Sequence, residues 1–149
     1  MPETTNEALW DTVWSRRRGI LATVNPNGMP HLTNVHYLPG DEERTILLTT
    51  TADRVKSRNL RRDPRAALHV QHEDWFAYSV AEGRVSVAAA EAPGDAATDD
   101  LYVIFSAFRG PQQRPAFDAQ MIRAKRIIAR LHVEGIYGLV HQDAGGGTG

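Results

Sequence analysis

The dipeptide Asn27-Gly28, set between the run Gly19-Ile20-Leu21-Ala22-Thr23-Val24 and a second β-rich run from Pro30 to Leu38, constrains this chain more than any other feature. Asn-Gly supplies the positive φ of a tight hairpin, so the two runs are predicted to pair as antiparallel neighbours. The pattern continues. Pro39-Gly40-Asp41-Glu42-Glu43 is a further turn, and residues 45–50 are rich in β-branched and aliphatic side chains, as a third strand would be. From Ala66 to His72 the residues Ala66, Leu68 and Val70 share one face and Ala67, His69 and Gln71 the other. Residues 78–90 read as a long strand with Gly83 as a bulge, and residues 126–133 as a last strand.

Helices fall between these strands. Thr4 as N-cap with Glu7 three residues later fits a capping box, and Leu9, Trp10, Val13 and Trp14 carry a helical stripe over about 6–15. Val55, Asn59 and Leu60 fit a short helix that must stop before Asp63-Pro64. Leu101, Ile104, Phe105 and Phe108 mark an amphipathic helix over 95–108, and another is predicted at 116–124. Short strands with hairpin signals favour an antiparallel sheet curled into a barrel, giving an α+β fold. A chain of 149 residues, 42% hydrophobic, supports one core and is too short for two ordinary domains. Residues 1–142 are therefore read as one domain, with 143–149 as a flexible Gly-rich tail.

Several chemistries are excluded early. There is no cysteine, which removes disulfides, thiolate metal sites and cysteine nucleophiles. The six histidines include the pairs His31/His36 and His69/His72, whose odd spacings point to opposite faces of a strand, so no metal site is expected. No nucleophile elbow or phosphate-cradling Gly-rich motif is present. A net charge of -1 gives no overall field for a polyanion. The apolar runs are too short to span a bilayer and the start is acidic and polar, which predicts a cytoplasmic protein without a membrane partner.

The informative stretch runs from Leu47 to Arg62. A strand ends in the hydroxyls of Thr49, Thr50 and Thr51, and the next helix opens beside Arg54 and Lys56. Free backbone N–H groups, hydroxyls and two cations together are the physical recipe for holding a phosphate. The alternative is a solvated basic face, since Arg58, Arg61, Arg62 and Arg65 extend the charge beyond what one phosphate needs. Nucleic acid is a poor fit, because the helix is barely two turns long and no aromatic platform is interleaved with it. Asp74-Trp75-Phe76-Ala77-Tyr78 places three aromatics at a turn entering a strand, either as a core or dimer-interface cluster or as a wall for a planar ligand.

Five segments together resemble the split β-barrel flavin and deazaflavin oxidoreductases of the pyridoxamine 5′-phosphate oxidase-like superfamily: residues 19–24, Asn27-Gly28-Met29-Pro30, Thr33-Asn34-Val35, Lys56-Ser57-Arg58-Asn59-Leu60-Arg61-Arg62-Asp63-Pro64-Arg65-Ala66 and Val80-Ala81-Glu82-Gly83. The resemblance covers roughly residues 8–140 and is closest to the F420-binding actinobacterial branch. It implies a homodimer of six-stranded split barrels with peripheral helices and cofactor sites in the grooves between subunits. It also implies that Thr50, Thr51, Arg54 and Lys56 hold the cofactor phosphate, and that Thr33, Asn34 and Val35 line its ring. Trp75, Phe76 and Tyr78 match aromatics that the partner subunit supplies.

Flavin oxidases of the family carry Ser-Arg-Lys where this chain has Arg54-Val55-Lys56, so Lys56 transfers most directly. The C-terminal Arg and His pattern of genuine pyridoxamine-phosphate oxidases is absent. The reading is an oxidoreductase that passes a hydride between reduced coenzyme F420 and a small conjugated substrate, with no side-chain nucleophile. Arg58, Arg61 and Arg62 are expected to meet the anionic tail of that cofactor. The alternatives are an FMN-dependent oxidoreductase or a cofactor-binding protein without turnover. His36 and Tyr37 are both candidate proton donors, and alternation lets only one face the ring.

Overall fold

A computed structural model describes residues 4–140, so the predicted tail at 143–149 lies outside the described residues. Seven strands form one antiparallel sheet in the order β2-β1-β5-β6-β7-β4-β3. They are β1 (Arg18–Val24), β2 (Pro30–His36), β3 (Leu38–Pro39), β4 (Thr45–Thr51), β5 (Arg65–Gln71), β6 (Tyr78–Ala89) and β7 (Arg126–Leu139). The helices are α1 (Asn6–Ser15), α2 (Val55–Arg62), α3 (Ala96–Arg109) and α4 (Arg114–Arg123). The predicted α+β class and hairpin hold, with Thr23 opposite His31 and Val24 opposite Pro30 across the Asn27-Gly28 turn.

The two ends of the sheet order, β2 and β3, are separated along the chain only by Tyr37. The edges of the ladder are thus one bent stretch of backbone, and the sheet closes on itself. Counted as one bent strand, β2 and β3 make the predicted six. What sequence read as a continuous strand from Pro30 to Leu38 breaks at Tyr37, whose N–H donates to the Arg17 carbonyl at 2.9 Å. Its fully buried ring fills the barrel, and its hydroxyl donates to the Val13 carbonyl at 2.6 Å. That carbonyl belongs to the last turn of α1, where helices leave C=O groups unserved.

Inside the barrel, Leu21, Val35, Ile46, Leu48, Leu68, Val70 and Leu131 pack with Val13 of α1 and Leu60 of α2. Leu47 and Ile128 point outward, yet they are buried beneath Leu101, Ile104 and Phe105 of α3 and Phe117 and Met121 of α4. Covering both faces explains why Ile46, Leu47 and Leu48 of β4 are apolar in succession rather than in alternation.

Other departures are local. The cap of α1 is Thr5, whose hydroxyl accepts from Ala8 N–H at 3.1 Å, and Thr4 instead donates to the Val140 carbonyl at 3.3 Å. The capping box therefore does not form, because the cap shifted by one residue places Ala8 where Glu7 was expected. The last strand runs six residues past the predicted end, to Leu139, since Gly135 to Leu139 continue pairing with Tyr78 to Glu82. The predicted bulge is present between Glu82 and Gly83, and a Cβ on Gly83 would run into the His132 carbonyl. No helix among the described residues is long and apolar enough to cross a membrane.

Candidate functional site

Unsatisfied polar groups gather at the N-terminus of α2. Its cap position is Arg54, in extended conformation, with no side-chain hydrogen bond to the helix and no acidic residue in the first turn. The first bond of the helix runs from Arg58 N–H to the Arg54 carbonyl, so the N–H groups of Val55, Lys56 and Ser57 point outward without acceptors among the described residues. The helix is held firmly from below. Leu60 is buried in the core, and burial of such a side chain stabilises by roughly 1.5–3 kcal/mol. Asn59 donates to Thr23 Oγ1 at 3.1 Å and to Asn25 Oδ1 at 3.0 Å, tying the helix to β1 and the hairpin.

Two buried hydroxyls belong to this region. Thr50 Oγ1 near the end of β4 and Ser57 Oγ in the first turn of α2 have no partner among the described residues. The side chains are almost wholly buried, at 5% and 0% exposure, and buried hydroxyls are ordinarily paired. Thr51 differs. Its hydroxyl donates to Asp53 Oδ1 at 2.7 Å, a bond that holds the Asp53 carboxyl below its usual range and sets an acidic group at the rim.

Arg54, Lys56 and Arg126 gather at the helix start, with Arg109 beside Arg126. Lys56 is held below the usual lysine range by burial first, then by the charges of Arg54 and Arg126. Arg126 is likewise lowered by burial, then by Arg109 and Arg54. Arg126 opens β7 directly across the ladder from Thr51. Arg109 ends α3, and its guanidinium and that of Arg126 lie 5.0 Å and 5.4 Å from the centre of the Phe105 ring. No carboxylate pairs with Arg54, Lys56, Arg109 or Arg126 among the described residues. Like charges gathered this closely are costly without an anion between them.

Arg58 and Arg62 of α2, and Arg65 at the start of β5, have partners within the chain. Arg58 donates to the Asp53 carbonyl at 2.8 Å, Arg62 donates to the Val24 carbonyl and to Asn59 Oδ1, and Arg65 pairs with Asp63 at 2.7 Å.

A cleft of about 520 Å³ opens on the outer face of β2, β1 and β5, lined by Arg18, Ile20, Asn34, Val35, His36, His69 and Gln71. Of the predicted ring-lining residues, Asn34 and Val35 border it, whereas Thr33 turns its unpartnered hydroxyl to the buried side. His36 lines the cleft and packs on Phe108 at 4.7 Å, and Tyr37 is in the core, which answers which of the two faces outward. His69 stacks on Tyr78 at 5.3 Å. Trp75 and Phe76 project from the β5–β6 turn, 75% and 71% exposed, and do not meet the cationic cluster within one chain. Gln71 pins that turn by donating to the carbonyls of Asp74, Trp75 and Ala77.

Sequence reasoning missed Arg109, Arg126 and the pairing of His36 with His69 on one cleft. All depend on strand pairing or helix packing between elements far apart in the chain. The readable signal was an arginine opening a strand that pairs with the Thr49-Thr50-Thr51 end.

The chain belongs to the pyridoxamine 5′-phosphate oxidase family, whose model matches residues 5–135. A conserved hypothetical protein, Rv2991 of Mycobacterium tuberculosis, is 28% identical, with a TM-score of 0.72 over 99% of this chain and 96% of its own. A solved structure named F420 reductase is 25% identical, with a TM-score of 0.62 over 92% of this chain and 98% of its own. A FAD-binding protein from Mesorhizobium loti shares the fold, at 16% identity and a TM-score of 0.61 over 91% of this chain and 94% of its own. The barrel of the pyridoxamine 5′-phosphate oxidase family is the fold these structures share with the chain.

Proposed function

We propose that this protein binds coenzyme F420 and acts as an F420-dependent oxidoreductase on a small conjugated substrate. The observation that carries the reading is the unsatisfied start of α2: outward N–H groups, two buried unpaired hydroxyls and four unpaired cations. This set fits a cofactor phosphate, which backbone donors, hydroxyls and cations bind together. Lys56 and the N–H groups of Lys56 and Ser57 would hold the phosphate, with Arg54 closing over it. The 25% identity to a protein named F420 reductase favours the deazaflavin over FMN.

When bound, the cofactor supplies two-electron hydride chemistry. The protein's own part is to bind, orient and exclude water. Asn34 offers an amide donor and acceptor to a planar ring in the cleft, Gln71 only its amide oxygen because its N–H groups hold the β5–β6 turn, and His36 stands at the edge as the candidate proton donor to a substrate carbon. Tyr37 has no such role, because its hydroxyl is committed to Val13.

A homodimer completes this site. Ile20, Leu32, Trp75, Phe76, Tyr137 and Leu139 are large apolar side chains left exposed, and the pairs Ile20–His69, His69–Val80 and Val80–Tyr137 run as one band across the outer sheet face. Such a surface suits a second copy, whose Trp75 and Phe76 would wall the cleft. Light scattering is expected to give the mass of two chains.

The test is Lys56→Ala. Loss of a charge-assisted bond to phosphate weakens F420 binding by about 1.5–3 kcal/mol while cofactor-free melting stays unchanged. Unaltered affinity in a calorimetric titration refutes the site. Oxidation of reduced F420 over a panel of conjugated substrates separates turnover from simple binding.

A further inference from the structure

Resting on the reading of a conjugated substrate in the outer cleft, we propose that this substrate is an acid whose carboxylate is held by Arg18 beside His36. The two residues are neighbours by strand pairing, since Arg18 opens β1 directly across the ladder from His36 at the end of β2. Both line the cleft of about 520 Å³, together with Ile20, Asn34 and His69.

The charge of the cleft sets its preference. Arg18 supplies the one fixed charge among the described residues that line it, His36 and His69 add imidazole nitrogens, and no carboxylate is among them. A larger cavity of about 650 Å³ over β1, β5 and β6 shows the contrast. There Arg65 and Arg84 are matched by Glu82 and Glu134, and both arginines are paired, Arg84 with Glu134 at 3.5 Å and Arg65 with Asp63 at 2.7 Å. Three consecutive arginines run from α1 into β1. Arg16 pairs with Glu73 at 3.9 Å, and Arg17 donates to the carbonyls of Trp14 and Arg16 at 2.6 Å. The Arg18 side chain has neither a hydrogen bond nor an ion pair among the described residues, so its donor fork is open to the cleft. A guanidinium fork matches the two oxygens of a carboxylate, whereas a neutral amide has one acceptor oxygen and matches half of it.

The fitting substrate is an alkene conjugated to a ketone and carrying a carboxylate, such as a 4-oxo-2-enoic acid. Hydride from the reduced cofactor forms a C–H bond at the alkene carbon next to the carboxylate. The π pair moves through the ketone onto the other alkene carbon, which takes a proton from His36. The alkene is reduced, the cofactor is oxidised, and the proton released in that oxidation balances the one His36 regains from solvent. The carboxylate stays on Arg18 unchanged.

The experiment titrates the protein loaded with oxidised coenzyme F420 by calorimetry, using trans-3-benzoylacrylate and its neutral carboxamide against wild type, Arg18→Met and Arg18→Lys. Wild type is expected to bind the acid about tenfold more tightly than the amide, the margin of a charge-assisted bond. Arg18→Met should erase that margin while keeping the amide within about twofold, and Arg18→Lys should restore part of it. Arg18 is exposed, so unchanged melting temperatures should establish that the variants fold. With reduced F420, Arg18→Met should raise KM for the acid about tenfold with little change in kcat. An amide bound as tightly as the acid, an equal loss of both ligands in Arg18→Met, or no binding of either overturns the proposal. If the protein takes up no F420, the oxidoreductase reading is refuted by itself, and the same titration of the cofactor-free protein decides the role of Arg18. A margin that Arg18→Met removes then upholds the anion site, and no margin overturns it.

Discussion

Replacing Tyr37 by phenylalanine removes one oxygen atom from the point where the barrel closes. The ring is fully buried and its hydroxyl donates to the Val13 carbonyl at 2.6 Å, an acceptor in the last turn of α1. The variant keeps the apolar volume but strands a buried carbonyl, which costs about 1–2 kcal/mol at neutral pH. For a chain of 149 residues that lowers Tm by roughly 2–4 °C per kcal/mol.

The same bond has a signature in alkali. Burial pushes the Tyr37 phenol well above its ordinary value, with Arg17 and Arg16 opposing the shift only in part. A group whose folded pKa is raised keeps its proton in the native state after the unfolded chain has lost it. Tyr37 therefore contributes its stability fully below the unfolded value of about 10, and that stability declines as pH rises above it. One pH unit beyond that value, the unfolded chain gains about 1.4 kcal/mol from ionising this phenol. The Tyr37→Phe variant has no such loss, and every other titrating group is common to both proteins. The stability gap between them should close near pH 11. Urea unfolding of both proteins at pH 7, 9, 10 and 11 measures it. A gap that stays constant to pH 11 refutes the buried, bonded phenol, and no gap at pH 7 refutes its role at the end of α1.

Asn59→Ala strands Thr23 Oγ1 and Asn25 Oδ1 and loosens α2, so thermal unfolding should show a loss of about 1–3 kcal/mol together with weaker F420 binding. Asp95→Ala removes a cap that accepts from the N–H groups of Glu91, Ala92 and Thr98, costing about 0.5–2 kcal/mol by urea unfolding. Burial raises the Asp95 carboxyl, but those N–H donors outweigh it and hold it at about 2. Its stabilisation is thus present above the ordinary carboxylate value and lost as pH falls toward 2, so the gap between wild type and variant should shrink in acid.

Local chemistry made much of the fold legible. Asn27-Gly28 specified one hairpin, Pro64 ended α2, and the alternation of Ala66, Leu68 and Val70 oriented β5 correctly. The break at Tyr37 was not legible, because a tyrosine between His36 and Leu38 suits a strand as well as a bend. Only the closure of the ladder requires it to turn inward. The end of β7 was hidden by Gly135 and Gly138, which weaken a strand in isolation, and at Gly138 the close approach of β6 leaves no room for a side chain. The site divides in the same way. Thr50, Arg54 and Lys56 are close enough in the chain to be read together, whereas Arg109 and Arg126 join them only through strand pairing and the packing of α3. Charge counting along α2 does not show which carbonyls Arg58 and Arg62 meet, since those lie outside the helix.

The measurement that bears most directly on the account is a side-by-side titration of one preparation with coenzyme F420 and with FMN, at low salt and at about 0.5 M salt. F420 should bind at least about tenfold more tightly at low salt, and its advantage should narrow when the screening length falls to roughly 4 Å. Tighter binding of FMN, or of neither cofactor, contradicts the claim that the cationic start of α2 serves a deazaflavin.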